Sequence, residues 1–211
     1  MSFFKRDLNK EKILSKYLDG VYNKIPLVLQ RIENLDFQHK GVDLIFNNNG
    51  DKIYIDEKAQ LDYLNSDLPT FTFELSYLKK GEIKIGWFLD DSKITDFYFL
   101  ITSIHVDDKK DISKGITNCK ITSIDRLKLT RFLDEIGLTY QKLNQYNNGI
   151  RTENADTKKI IINELHEKSQ GCLVYSQHLD EKPINLMLRL DFLLKNGVAK
   201  RIYPSFKVKS R

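Results

Sequence analysis

Hydrophobic positions recur along the chain at two different periods. Leu8, Ile13, Leu14 and Tyr17 lie at spacings near 3.6, with Asn9, Glu11 and Lys12 between them. That periodicity predicts a helix ending near Gly20 and, beyond the break at Pro26, a second short helix over Leu27 to Ile32. The period then changes to two. Apolar runs at 42–46 and 52–59 are joined by Asn47-Asn-Asn-Gly-Asp51, a cluster of turn formers, which predicts a β-hairpin. Phe71-Thr-Phe-Glu-Leu-Ser-Tyr77 alternates strictly, which would put Phe71, Phe73, Leu75 and Tyr77 on one face. Lys79-Lys-Gly81 turns the chain into a further strand, Ile83 to Leu89, and Asp90-Asp-Ser92 turns it again. Phe97-Tyr-Phe-Leu-Ile-Thr102 is nearly all apolar, as a strand covered on both faces would be.

The second half alternates less regularly. Ser123 is placed to cap a helix running to Glu135 and stopped by Gly137, with a further helix over Thr139 to Gln145. Asn147 to Asp156 is polar and reads as a loop, 173–176 and 184–187 as strands, and Leu190 to Lys200 as a closing helix. The expected fold class is α/β (α+β): a mixed sheet flanked by helices over residues 1–105, with 106–211 as a helical and mixed C-terminal extension packed on the same core.

Composition narrows the possible functions. The 211 residues are 41% hydrophobic and 30% charged, with four prolines, which describes a globular chain long enough to bury one core. No apolar stretch approaches the roughly 20 residues of a membrane helix, and the first residues, Met1-Ser-Phe-Phe-Lys-Arg-Asp7, turn charged at once. Cys119 and Cys172 are too few for a disulfide framework and form no Cys-x-x-Cys. A cytoplasmic protein with no membrane partner is expected. The formal net charge of +5 favours a polyanionic partner without requiring one.

The candidate chemistry lies in the first hairpin. Each of its strands carries an aspartate where an apolar residue is usual, Asp43 and Asp56, and Lys58 follows two positions after the second. Alternation points Asp56 and Lys58 to one face and Glu57 to the other. Two carboxylates with an ammonium beside them suit a divalent cation held against a phosphate. Mg²⁺ takes one or two protein carboxylates and keeps its remaining positions for water and substrate oxygens. The tripeptide alone carries little weight, because Asp/Glu-x-Lys also begins at Glu82, Asp91, Asp107, Asp108, Asp156 and Asp180. Of these, Glu82-x-Lys84 also opens a strand and is the serious competitor.

An acid, a gap, and then Asp/Glu-x-Lys on the next strand resembles the PD-(D/E)xK phosphodiesterase superfamily, with its restriction-endonuclease-like fold. The resemblance covers roughly residues 8–102, and Val42 stands where the family pattern has proline. It implies an endonuclease that uses Mg²⁺ (or Mn²⁺) and acts on nucleic acid, DNA rather than RNA, in restriction, repair or defence. Asp43 and Asp56 would bind the metal, Lys58 would position or activate the attacking water, and the Glu57 carbonyl is a possible further ligand. Glu74 is the optional additional acid, Glu11 a helix acid that reaches the site in some relatives, and Gln60 continues the Asp56–Lys58 face. A homodimer is expected if both strands are cut. The alternative is a non-catalytic nucleic-acid-binding or scaffold protein on the same fold.

Other features imply less. His39, His105, His166 and His178 show no paired ligand spacing. Residues 126–146 resemble a helix-turn-helix with Gly137 in its turn, but Arg126, Lys128 and Arg131 do not share a helical face, so an ordinary helical hairpin is expected. Lys195, Lys200, Arg201, Lys207, Lys209 and Arg211 form a basic C-terminal run.

Overall fold

The computed structural model describes residues 3–108, 111–153 and 158–204. In chain order the elements are α1 (Phe3–Tyr22), β1 (Leu29–Arg31), α2 (Leu35–His39), β2 (Leu44–Asn48), β3 (Asp51–Ala59), β4 (Thr70–Lys79), β5 (Glu82–Ile85) and β6 (Phe97–Val106). They continue with a 3-10 turn (Ile112–Lys114), β7 (Ile116–Asp125), α3 (Arg126–Glu135), α4 (Tyr140–Glu153), β8 (Lys159–Ile160), β9 (Gly171–Tyr175), β10 (Ile184–Arg189), α5 (Leu190–Lys195) and β11 (Ala199–Tyr203). The class is α+β with a mixed six-stranded sheet and helices, in keeping with the sequence pattern. Among the described residues, no helix is long and apolar enough to cross a membrane.

Two compact units interleave along the sequence. The first comprises Met1–Leu68, Thr95–Ile124 and Lys200–Arg211, and the second Pro69–Ile94 and Asp125–Ala199. This differs from the expected 1–105 and 106–211 division. The β4–β5 hairpin joins β10 in a second sheet, while β7 and β11 return to the first.

The first unit is built on a sheet of order β1-β2-β3-β6-β7-β11. The β2–β3 hairpin forms as its sequence predicts. Asn49 (φ 52°) and Gly50 (φ 101°) both take left-handed conformations at the turn, which matches the twist of two-residue hairpins. β3 then runs parallel to β6, with Asp56 opposite Tyr98 and Lys58 opposite Leu100. Helix α1 covers one face of this sheet. Leu14, Leu18, Val21 and Tyr22, at spacings of one and two turns, bury themselves with Leu44, Ile55, Phe99, Ile101, Cys119 and Ile121. Burial of each large side chain contributes about 1.5–3 kcal/mol. Residues 29–31, expected to be helical, instead form edge strand β1, with Leu29 opposite Phe46 and Arg31 opposite Leu44. Extension into the sheet lets Leu29 join the core, and the short helix falls later, at α2, where Asn34 accepts the amides of Asp36 and Phe37.

The second unit has a sheet of order β5-β4-β10-β9-β8, with β10 antiparallel to both β4 and β9. The predicted alternation of β4 holds for Phe71, Phe73 and Leu75 but not for Tyr77. Ser76 pairs with Ile184 and Glu74 with Asn185, so Leu75 is an extra residue, and the bulge buries Ser76 and turns Tyr77 partly out. β5 ends at Ile85 because Gly86 crosses directly over β4. A Cβ there would sit 2.3 Å from the Glu74 carbonyl oxygen, so only glycine permits this approach. Asp125 caps α3 in place of Ser123, and Gly137 (φ 90°) ends the helix turn as expected. α4 continues through Asn147-Asn-Gly149, the expected loop. Asn147 is buried and accepts the Ser76 hydroxyl at 2.6 Å, while Leu143 and Ile150 bury on the same helix. The predicted closing helix stops at Lys195, and Gly197 (φ 68°) leads into β11, where Ile202 and Tyr203 join the first unit's core.

Candidate active site

The site grows out of the strand alternation in β3. Ile53, Ile55 and Ala59 pack into the α1 core, so Asp56 and Lys58 occupy the reverse face. β6 divides the same way, with Phe97, Phe99 and Ile101 toward α1 and Tyr98 and Leu100 on the reverse. Asp43 lies in the bend just before β2, between fully buried Val42 and Leu44. Its amide donates to the Ile55 carbonyl at 2.9 Å and its carbonyl accepts the Ile32 amide at 2.8 Å. Those bonds carry the hairpin register one step beyond Leu44–Ile55 and set Asp43 beside Asp56.

The three side chains are individually held. One carboxylate oxygen of Asp43 accepts the Glu57 amide at 2.8 Å. Lys58 Nζ donates to Asp56 at 2.7 Å, with the Asp56 side chain 4% exposed and the Lys58 side chain 26% exposed. Burial, followed by the negative charge of Asp56, pushes the Asp43 carboxyl up to about 7, against the pull of the Glu57 amide and Lys58. Two acids are thus crowded into a space that disfavours two full negative charges.

Glu57 faces the other way, as alternation requires, and its side chain anchors β3 to α1. It accepts the Tyr22 hydroxyl and an Arg31 guanidinium N–H at 2.5 Å, and Arg31 also reaches Asp19 at 2.7 Å. Burial, and then the Glu57 charge, raise the Tyr22 phenol well above its usual range. The residue whose amide orients Asp43 is therefore fixed through its own side chain. Asp96 fixes the neighbouring strand, since its carboxylate accepts the Tyr54 amide and its amide donates to the Tyr54 carbonyl, both at 2.8 Å. Tyr22, Arg31 and Asp96 were not legible as site supports, because contacts across such distances in sequence leave no local pattern.

The remaining sequence candidates lie elsewhere. Glu74 belongs to β4 in the second unit, opposite Asn185, and not to the strand pair that carries Asp43 and Asp56. Glu11 is exposed on α1, the helix that covers the Glu57 face. Gln60 lies just past β3, its amide bonded to the Ile101 carbonyl at 3.0 Å. Glu82 and Lys84 pair at 2.6 Å in the open on β5. Arg126 donates to the carbonyls of Lys93 (2.7 Å) and Asp90 (3.2 Å), a use that anchors α3. Of the basic run, Lys207, Lys209 and Arg211 fall outside the described residues. Among the described residues, no group of three or more His, Cys, Asp and Glu is arranged to hold a metal. A cation here would therefore rest on two carboxylates, with water and substrate oxygens completing its shell.

Comparison of the chain with protein-family models, with curated proteins and with solved structures returned no match.

Proposed function

We propose that this protein is a metal-dependent phosphodiesterase that hydrolyses nucleic acid, DNA in preference to RNA, with Mg²⁺ or Mn²⁺ held by Asp43 and Asp56. The observation that carries the reading is the pairing of buried Asp56 with half-buried Asp43 in the bend before the neighbouring strand, Asp43 pushed up to about 7 and Lys58 2.7 Å from Asp56. The donor set fits a hard cation: carboxylate oxygens, with no thiol or imidazole in the group. A divalent cation would also offset the burial and, after it, the Asp56 charge that raise Asp43. When bound, it supplies charge stabilisation for the phosphoryl oxygens and lowers the pKa of a bound water. Asp43, oriented by the Glu57 amide, presents an acceptor in a fixed direction. Lys58 holds Asp56 in place and keeps enough exposure to meet a water or a phosphate oxygen. The overall +5 charge suits a polyanionic substrate.

A second reading, a non-catalytic binding protein on the same fold, draws on one observation. The Lys58–Asp56 contact already neutralises the buried acid without a metal. Calorimetric titration with Mn²⁺, run beside cleavage of plasmid DNA and a structured RNA, separates the two. Stoichiometric Mn²⁺ binding and metal-dependent cutting, both lost in Asp56→Ala, support the enzyme. No Mn²⁺ binding to a folded protein, with salt-sensitive nucleic-acid binding retained, supports the binding protein.

A further inference from the structure

Strand alternation along β3 puts Lys52 and Tyr54 on the same face as Asp56 and Lys58, in steps of two residues that each cover about 6.6 Å. Lys52 is exposed beside the hairpin turn, and Tyr54 is half-buried. Ile45 stands directly opposite Tyr54 on β2 and is buried on that face. Helix α2 brings a second ring to the same place. The Phe37 ring centroid lies 6.2 Å from that of Tyr54, with the two planes tilted by 46°. The Phe37 carbonyl accepts the Val42 amide at 3.0 Å, one residue before Asp43, so the helix that carries this ring is tied to the bend that places the acid. Tyr54 is fixed through its backbone, whose amide and carbonyl both bond to Asp96.

Rings tilted by 46° at 6.2 Å meet through an edge, so their contact with each other does not use up both faces. Phe37 is 37% exposed, and what it exposes is apolar ring. Flat apolar surface therefore lies next to a pair of acids suited to a metal and a phosphate. A nucleic-acid base is a planar ring joined through its sugar to a phosphate, which matches that juxtaposition. Bases in a duplex already stack on their neighbours, so only an unpaired base is free to stack on a protein ring. Lys52 lies one further step along the strand, a cation for the next phosphate. The order Lys52, Tyr54, Asp56 thus alternates charge with ring, as a single strand alternates phosphate with base. We propose that Phe37 and Tyr54 form a stacking platform for an unpaired base beside the scissile phosphate, and that the substrate is single-stranded DNA. The inference rests on the proposed phosphodiesterase site, because it takes the β3 face that carries Asp56 as the one that meets substrate.

The test is fluorescence anisotropy of the full-length protein in EDTA, where no cutting occurs. The probes are a fluorescein-labelled single-stranded DNA, its duplex, and a strand of the same length built of abasic residues. The parent should bind the single strand at least about tenfold more tightly than either the duplex or the abasic strand. Phe37→Ala should weaken single-strand binding about tenfold and leave abasic-strand binding unchanged, while Phe37→Trp, which keeps a ring, should retain single-strand affinity. Lys52→Ala should reduce the slope of log affinity against log salt by about 0.7, the share of one phosphate on a single strand. Equal binding of single strand and duplex by the parent overturns the proposal, and so does equal binding of normal and abasic strands. Unchanged single-strand affinity in Phe37→Ala overturns it too, as does an equal loss toward the abasic strand, which would make Phe37 a packing residue only. Mn²⁺ titration of the parent reads the Asp43–Asp56 site separately. Mn²⁺ uptake without a single-strand preference strikes the platform and leaves the metal site, and a single-strand preference without Mn²⁺ uptake does the reverse.

Discussion

Two hairpins in this chain carry the same acid-x-lysine pattern, and the resulting ion pairs are nearly the same length. Lys58 meets Asp56 at 2.7 Å and Lys84 meets Glu82 at 2.6 Å. Their surroundings differ completely. The Asp56 side chain is 4% exposed and that of Glu82 73%. An exposed pair of this kind contributes about 0–1 kcal/mol, because water and salt screen it. A buried acid must have its partner, since the desolvation it has suffered is recovered only through that partner. Distance therefore does not separate a candidate catalytic pair from surface decoration, but burial beside a second acid does.

The largest expected effect comes from breaking the buried pair. Lys58→Ala leaves the Asp56 carboxylate buried without its ammonium and should lower unfolding stability by about 3 kcal/mol, read from urea denaturation at pH 7.5. If the proposed chemistry is correct, Asp56→Asn and Lys58→Ala should each also reduce metal-dependent cleavage by about 10²-fold or more. Retained cleavage in both variants would reduce the first hairpin to the status of the second.

Next in size is the pH response of Asp43. Its carboxyl is raised when folded, to about 7 from an ordinary 3.8, so the folded state binds the proton more tightly. The stability from that proton is fully present below about pH 4 and is lost as pH rises through 7. Asp43→Asn keeps an acceptor for the Glu57 amide but removes the titration. In EDTA it should be more stable than the parent above pH 7, by about 4 kcal/mol at most, with the difference closing toward pH 4. Parallel thermal melts from pH 4 to 8.5 measure this. A constant difference across that range would mean that neither burial nor Asp56 raises Asp43 in the folded state.

The support beneath the first hairpin ranks third. Glu57→Gln weakens the charged bonds to Arg31 and Tyr22 and should destabilise by about 2 kcal/mol. It should also loosen the strand whose amide orients Asp43, so Mn²⁺ affinity should fall while Lys58 and both aspartates remain. A loss of stability with unchanged Mn²⁺ affinity would separate the scaffold from the site.

The contrast also explains what could be read from sequence. The β2–β3 hairpin was legible because its signals are local: two apolar runs, turn residues able to take positive φ at Asn49 and Gly50, and alternation that sorts Asp56 and Lys58 from Glu57. The surroundings of Glu74 were hidden for the opposite reason. Its strand alternates just as clearly, but it pairs with β10, more than a hundred residues away, and a bulge at Leu75 resets its faces. β1 and β7 escaped notice because β1 has three residues and β7 interleaves Asn118 and Lys120 with Cys119 and Ile121. α4 was read too short because Asn147-Asn-Gly149 resembles a loop until the Ser76 hydroxyl supplies Asn147 with its partner. For Glu74 and α4 the missing information was a long-range contact.

The smallest expected effect is on the second hairpin. Glu82→Ala and Lys84→Ala, singly and together, should each change unfolding stability by less than about 0.5 kcal/mol, with a coupling energy near zero in a double-mutant cycle. Raising salt from 0.05 to 0.5 M should remove what coupling remains, because both groups lie in water. The same cycle on Asp56 and Lys58 should give a coupling that persists in high salt, since Asp56 is shielded from ions. Equal couplings in the two hairpins, or equal loss with salt, would show that burial does not distinguish them. The case for Asp43, Asp56 and Lys58 as a reactive group would then rest on sequence resemblance alone.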